Sequence, residues 1–457
     1  MEVNTMSATP QTATNPSTEA AARGRASGSG PLSESKVAQL RRWLADKLLT
    51  GLDGQQLANT PEMAHLLSER FDALLQQANL NLPEEEHSRL RDLVLDELIG
   101  YGPIGPLLRD PTISEIMVNG PHLVYIERNG KLQETDARFE NNEHVMEIAE
   151  RIVRPLGRTI DRKRPMVDAR LPDGSRVNII IPPSALDGPT ITIRKFPAKS
   201  LTVDDLLRFG SITPALVEFL RACVVARLNI IVAGGTGSGK TTLLNVLSSF
   251  IPEDERIVTI EDSAELQLHQ RHVVRLETTP AEPDGTGRVT IRDLVVNSLR
   301  MRPGRIIVGE VRAGEALDML QAMNTGHDGS LATVHANTPR DAISRLETMA
   351  LMAGITIPVE VIRRQIASAI DLIVLQGRLR GGARKILNVT EVQGMEGDTV
   401  VLQDIFIYRA PPFETEGAQG TIQPTGLRPK FMRRLEEAGF KLSAEVFGAG
   451  PGAGSLR

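Results

Sequence analysis

The run Gly234-Gly235-Thr236-Gly237-Ser238-Gly239-Lys240-Thr241 satisfies every fixed position of G-x-x-x-x-G-K-[ST]. Its chemistry is phosphate binding. Glycines let successive backbone N–H groups turn toward phosphate oxygens, and a helix start adds partial positive charge there. Lys240 has the reach for β- and γ-phosphates, and the Thr241 hydroxyl can ligate Mg²⁺. Thr242 opens the helix behind the loop and completes the nucleotide-binding set. A nucleotide hydrolase also needs carboxylates, to hold the metal ion directly or through water and to position the attacking water. Ile260-Glu261-Asp262-Ser263-Ala264-Glu265 places three of them just past an apolar run. Ile306-Ile307-Val308-Gly309-Glu310 ends a second apolar run in one, the Walker-B arrangement with Glu in place of the commoner Asp. His327 and His335 lack the i, i+4 spacing of a helical metal pair. An imidazole donating to a γ-phosphate oxygen, or an ordinary polar surface role, suits them better than zinc. Charge building on the γ-oxygens calls for a guanidinium. Arg170, Arg176 and Arg194 compete for that role with Arg300, Arg302 and Arg312, and each singly also reads as a surface charge.

These residues need elements to position them. Leu228 to Ala233 predicts a buried strand feeding the loop, and Thr242 to Leu247 the helix leaving it. Further strands are expected at Arg256–Ile260, Arg305–Val308, Leu331–Val334 and Asp371–Leu375. Helices are expected at Thr290–Arg300, Glu315–Met323 and Pro358–Ile370. Short apolar strands alternating with helices predict a mostly parallel sheet with helices on its faces, spanning residues 198–412. The polar candidates then fall at strand C-terminal ends, where such sheets bind ligands.

Upstream, Asn129-Gly130 and Pro172-Asp173-Gly174 are hairpin turns. With a helix through Val145, Ile148 and Ile152 and an alternating strand Thr190–Arg194, they predict a compact α/β lobe over 101–197. Its first residues, Tyr101 to Pro106, read as a Gly/Pro linker. Apolar stripes Val37/Leu40/Leu44/Leu48, Met63/Leu67/Phe71/Leu74 and Leu90/Val94/Leu98 predict a small helical bundle over 33–100. It serves either as a docking module for a partner or neighbouring subunit, or as a packing appendage. Residues 1–32 are too poor in large apolar groups to order themselves. Residues 413–457 read as a flexible Gly/Pro-rich tail with a short helix at Pro429–Ala438.

The chain has 457 residues, enough for two or three domains. A net charge of -5 gives no support to direct nucleic-acid binding. The single cysteine, Cys223, excludes an internal disulfide and a multi-cysteine zinc site. With no membrane-length apolar run and no secretory leader, a cytoplasmic location is expected.

The P-loop, Thr259-Ile260-Glu261-Asp262-Ser263-Ala264-Glu265, Gly309-Glu310-Val311-Arg312 and Thr325-Gly326-His327 through Thr333-Val334-His335-Ala336-Asn337 together resemble the Walker A, Asp box, Walker B and His box of type II and type IV secretion and pilus ATPases. Glu115-Ile116-Met117-Val118-Asn119-Gly120, Leu299-Arg300-Met301-Arg302-Pro303 and Leu317 to Thr325 bring the chain nearest to the CpaF/TadA branch, the assembly ATPases of Flp (tight adherence) pili. The resemblance implies an α/β architecture: a RecA-like P-loop ATPase lobe, preceded by a sensor-like (PAS-like) α/β lobe and the helical bundle. It implies a homo-hexamer that binds ATP and Mg²⁺ between the lobes and works at the cytoplasmic face of the inner membrane. It makes Glu265 the catalytic glutamate and Glu310 the Walker-B carboxylate on the Mg²⁺ shell. It makes His327 and His335 the His-box contacts, and Arg176 and Arg194 the arginines reaching the phosphates from the first lobe. An inner-membrane pilus platform would convert lobe rotation into pilin movement for assembly, retraction or both. Thr279 and Val296 stand where this branch is expected to have arginines, and Ser298 and Ala313 where it is expected to have Cys and Gly. These departures put in doubt any phosphate or inter-subunit contact from the Leu276–Pro280 loop. A type IV secretion or conjugation motor, a slow nucleotide-dependent switch and a nucleic-acid motor remain as alternatives, the last disfavoured by the acidic balance.

Overall fold

In the computed structural model, the described residues are 34–50, 52, 57, 59–196, 200–281, 285–410 and 420–448. The segment expected to be disordered, 1–32, and the junction Pro197-Ala198-Lys199 lie outside them. Two compact units divide after Phe196.

The first unit opens with helices α1 (Glu34–Leu49), α2 (Pro61–Gln77) and α3 (Glu84–Leu98). Thr60 caps α2 by accepting from the Met63 N–H, and Pro61 occupies the first helical turn, where its missing N–H costs nothing. Leu44, Leu48, Leu67, Phe71, Leu90 and Val94 bury against one another, as the stripes predict. The expected linker at 101–106 is instead packed structure. A 3₁₀ turn, Gly102–Ile104, runs directly into α4 (Gly105–Arg109). Arg109 donates through Nη1 and Nη2 to the two carboxylate oxygens of Asp96, at 2.8 and 2.6 Å. A Cβ on Gly105 would collide with that carboxylate, so glycine there permits the close approach. The break expected between residues 100 and 101 is therefore no boundary, and the bundle belongs to one unit with the sheet that follows.

That sheet comprises β1 (Ile113–Asn119), β2 (Val124–Arg128), β3 (Lys131–Glu134), β4 (Met166–Arg170), β5 (Arg176–Ile180) and β6 (Thr190–Arg194), with helix α5 (Asn142–Val153) inserted after β3. Its order is β3-β2-β1-β6-β5-β4, antiparallel throughout. Asn129 and Gly130, at φ 54° and 75°, form the expected tight turn. Ile116, Val118, Ile191 and Ile193 pack with Val145, Ile148 and Ile152 of α5.

The second unit contains α6 (Val203–Arg208), α7 (Pro214–Val225), β7 (Ile230–Gly234), α8 (Lys240–Ser248), β8 (Ile257–Glu261), β9 (Val273–Glu277), α9 (Ile291–Ser298), β10 (Arg305–Val311), α10 (Glu315–Asn324), β11 (Leu331–His335), α11 (Pro339–Leu351), α12 (Val359–Ala369), β12 (Leu372–Arg378), β13 (Arg384–Glu396), β14 (Thr399–Arg409), β15 (Thr421–Pro424) and α13 (Met432–Glu437). The sheet order is β15-β14-β13-β12-β7-β11-β10-β8-β9. From β12 to β9 it is parallel, the expected RecA-like core; from β12 to β15 it is an antiparallel extension. Residues of α9 to α12 cover one face and residues of α7 and α8 the other.

The stretch expected as a flexible tail is corrected over 420–448. Leu435, Val446 and Phe447 are buried in the second face's core, and Phe447 meets Phe219 edge-on at 5.9 Å. Arg434 donates to the Asp371 carboxylate at 2.6 Å and to the Arg227 carbonyl at 3.0 Å, fastening this segment beneath β12 and β7. The burial lies in scattered residues with distant partners, so it leaves no local periodicity to read.

Candidate nucleotide-binding site

Every residue of β7 is buried, which holds the start of the glycine loop rigidly. Gly234 pairs in register with His335 of β11 on one side and Gln376 of β12 on the other. A Cβ on Gly234 would collide with the Gln376 carbonyl oxygen, so the loop can pack this closely only as glycine. Gly237 and Gly239, at φ 67° and 95°, adopt the left-handed backbone that side chains resist. Helix α8 then begins at Lys240 with no side-chain cap, leaving its first N–H groups for an anion. Lys240 Nζ donates to the Gly235 carbonyl at 3.1 Å. Burial lowers its pKa; the nearby Glu310 charge opposes this and the Arg312 charge adds to it.

Two carboxylates leave the neighbouring strands at the same edge. Glu261, at the end of β8, is 3% exposed. Its Oε1 accepts the N–H groups of Glu265 at 2.8 Å and Leu266 at 3.0 Å. Burial raises its pKa, against the pull of those two donors. Its Oε2 is buried and has no hydrogen-bond partner among the described residues. Glu261 thus folds the loop that carries Glu265. Gln267 N donates to Asn245 Oδ1 of α8 at 2.9 Å, which ties the same loop to the phosphate-loop helix. Glu310, half-buried near the end of β10, accepts at Oε2 from Arg312 Nε at 2.9 Å and Nη2 at 2.6 Å. Arg312 Nη1 reaches Asp262 Oδ2 at 2.8 Å. Burial works against the Arg312 charge, but the Glu310 hydrogen bond and the charges of Glu310, Asp262 and Glu265 raise its pKa overall. Of the arginines around the Walker-B strand, Arg312 therefore belongs to this cluster. Arg300 and Arg302 precede β10, at the end of the sheet away from Glu310.

The residues fit a magnesium nucleotide. The glycine cradle and uncapped helix suit phosphates, and the partnerless Glu261 Oε2 suits a hydrogen bond from metal-bound or attacking water. Among the described residues no group of three or more His, Cys, Asp or Glu forms a metal cage. Mg²⁺ commonly takes few protein ligands and completes its shell with phosphate and water, which matches Thr241 and Glu310.

The two histidines separate. His335 ends β11 directly beside Gly234. With Glu310, Arg312, Asp341 and Arg345 it lines an open groove of about 510 Å³. His327 is not brought to the loop of its own unit. It lies before β11, at the strand's opposite end, where Ser330 Oγ donates to its carbonyl at 2.8 Å. The length of β11, about 13 Å at the usual strand rise, lies between the two ends. In the first unit, Arg170 pairs in register with Arg176, and Arg176 with Arg194. The three form a cross-strand row, and Glu115 of β1 faces Arg194 at its end, 3.8 Å from Arg194 Nε. Arg176 and Arg194 are therefore neighbours on one face of that sheet.

Sequence reasoning missed the bracing role of Glu261 and the contact made by Gln376. A polar residue ending an apolar strand was a signal for Gln376, but only the pairing of β12 with β7 places it at the loop.

Residues 97–397 match the family profile described as Type II/IV secretion system protein. A putative conjugal transfer protein of Mycobacterium tuberculosis is 36% identical over 66% of this chain and 87% of its own length. The type IV secretion system protein VirB11 of Brucella suis is 36% identical over 60% of this chain and 83% of its own. Among solved structures, the VirB11 ATPase from the Brucella suis type IV secretion system, in complex with sulphate, is 32% identical. It covers 63% of this chain and 95% of its own, with a TM-score of 0.35.

Proposed function

The chain belongs to the type II/IV secretion system protein family, and from that premise we propose that it is an ATP-hydrolysing motor. The observation that carries this reading is the convergence of Lys240, the Glu261-braced loop bearing Glu265, and Glu310 at one edge of one sheet. The loop from Gly234 to Thr241 holds the phosphates through its N–H groups, with Thr236, Ser238 and Lys240 among its members, and Thr242 extends the same helix start. Thr241 and Glu310 would hold Mg²⁺, which would supply positive charge against the phosphates. Glu265 accepts the proton of the attacking water, and His335 donates to a γ-phosphate oxygen. Arg176 and Arg194 are the proposed source of guanidinium charge.

We further propose that six copies form a ring. In this reading the ring drives assembly of Flp-type pili through an inner-membrane platform. The named relatives favour a second reading, a type IV secretion or conjugation machine. Deleting the gene in its host separates the two: loss of pili supports the first, and loss of protein or DNA export with pili intact supports the second. The enzymatic reading is tested by Mg²⁺-dependent ATP turnover in Lys240→Ala and Glu265→Gln, each expected to lower kcat by about 100-fold or more. Turnover at the wild-type rate in either variant removes that residue from the mechanism.

A further inference from the structure

The segment that leaves α6 is fastened to the start of β13, and β13 is fastened to the glycine loop. Lys385 is 3% exposed. Its Nζ donates to the carbonyls of Phe209 at 3.1 Å and Gly210 at 2.7 Å, just past the end of α6, where a cation suits the carbonyls of a helix terminus. Burial lowers its pKa. Ser211, 6% exposed, donates from Oγ to the Arg384 carbonyl at 2.7 Å, and its own carbonyl accepts the Ile386 N–H at 3.2 Å. These bonds hold Arg384, Lys385 and Ile386 against Phe209, Gly210 and Ser211.

Arg384 carries the constraint into the loop. Its Nε donates to the Gly237 carbonyl at 3.0 Å, and a Cβ on Gly239 would lie 3.2 Å from its Cδ. A trans peptide unit points its C=O and its N–H in opposite directions. Fixing the Gly237 carbonyl on Arg384 therefore turns the Ser238 N–H to the other side. There it donates to the Gly235 carbonyl at 3.3 Å, the oxygen that also accepts Lys240 Nζ at 3.1 Å. The N–H thus lies on the side of the loop that carries the phosphate-binding lysine. Glycine at 237 leaves this peptide unit free to rotate, so a bond from outside the loop is what locks it. We propose that Ser211 and Lys385 are positioning residues for the bound phosphates: acting through Arg384, they keep the Ser238 N–H turned into the cradle. Nucleotide affinity then depends on a segment outside the motif. This rests on the nucleotide-motor reading above.

The test is titration of the full chain with fluorescent ADP and ATP analogues, with pyrophosphate as competitor, at about 50 mM and about 300 mM salt. Ser211→Ala removes a neutral hydrogen bond and no charge; Lys385→Met removes a buried ammonium. Each is expected to weaken ADP, ATP and pyrophosphate binding by about three- to tenfold, the scale of one hydrogen bond, with KM for ATP rising by the same factor. Arg384→Met is expected to weaken binding at least as much, and Arg384→Lys, which keeps a donor, to recover part of the loss. Adding Ser211→Ala to Arg384→Met is expected to cost nothing further, because the path runs through Arg384. Should Lys385→Met fail to fold, Ser211→Ala decides alone. Wild-type affinity in Ser211→Ala overturns the brace, and so does an additive loss in the double variant. A loss confined to Arg384→Met that shrinks at the higher salt means that Arg384 touches the ligand itself, and it also overturns the brace. A wild-type chain that binds neither nucleotide nor pyrophosphate overturns the motor reading, and the brace with it.

Discussion

Gly309→Ala probes how firmly the loop bearing Glu265 is held. A Cβ at this position in β10 would lie 2.8 Å from Glu261 Cγ, 3.4 Å from its Cβ and 3.5 Å from Oε1. Unstrained carbon contacts sit at about 3.5–4.0 Å, so the two strands must separate or the Glu261 side chain must move by roughly 1 Å. Glu261 is 3% exposed, at the end of a fully buried strand. If it stays, the cost is overpacking, about 1–3 kcal/mol. If it swings away, it releases the Glu265 and Leu266 N–H groups. Bonds to a charged acceptor are worth about 1.5–3 kcal/mol each, and the loss is partly offset by relief of the buried carboxylate. The cheaper route wins, so the expected destabilisation is about 1–3 kcal/mol in urea unfolding. A shift of this size at the loop is expected to lower kcat by roughly 10- to 100-fold, with ATP affinity retained because the glycine loop is untouched. In a Glu261→Ala background the obstructing Cγ is gone, and the same substitution should be nearly neutral, a coupling of about 1–3 kcal/mol. Wild-type stability and turnover in Gly309→Ala, or an equal cost in both backgrounds, refutes the reasoning.

Phe447→Ala removes a side chain that is 1% exposed and packed on Phe219. It should destabilise the second unit by about 3–5 kcal/mol in denaturant unfolding, and a cost below 1 kcal/mol would return the C-terminal segment to the status of a tail. Asp110 is lowered from 3.8 to about 2 by the Thr112 hydroxyl, the Thr112 N–H and Arg128. Its folded value lies below its unfolded one, so its stabilisation is present above pH 3.8 and disappears as pH falls through about 2. Asp110→Asn should therefore melt below wild type near neutral pH, with the gap closing toward pH 2; a gap independent of pH counts against this role.

The glycine loop was legible because its conformation resides in the backbone of contiguous residues. The placement of Glu310 and of the loop bearing Glu265 was legible nearly as directly, since parallel strands deliver their C-terminal ends to one edge, Glu310 lies near the end of β10 and Glu265 lies four residues past the end of β8. The histidines show where this stops. His327 and His335 lie in one continuous motif, yet β11 runs between them and sends them to opposite ends of the sheet. Strand pairing alone set Arg170, Arg176 and Arg194 in one row and stood Arg378 opposite Arg384. The packed turn at 102–109 depended on Gly105 admitting the Asp96 carboxylate, and the C-terminal segment on Phe447 meeting Phe219 across the fold. Sequence by itself determined the local parts of the candidate site, because short-range backbone geometry and strand periodicity are written in neighbouring residues. Only the tertiary structure decided which charges share a face and which carboxylate braces the other. Those depend on register and close approach between segments far apart in the chain.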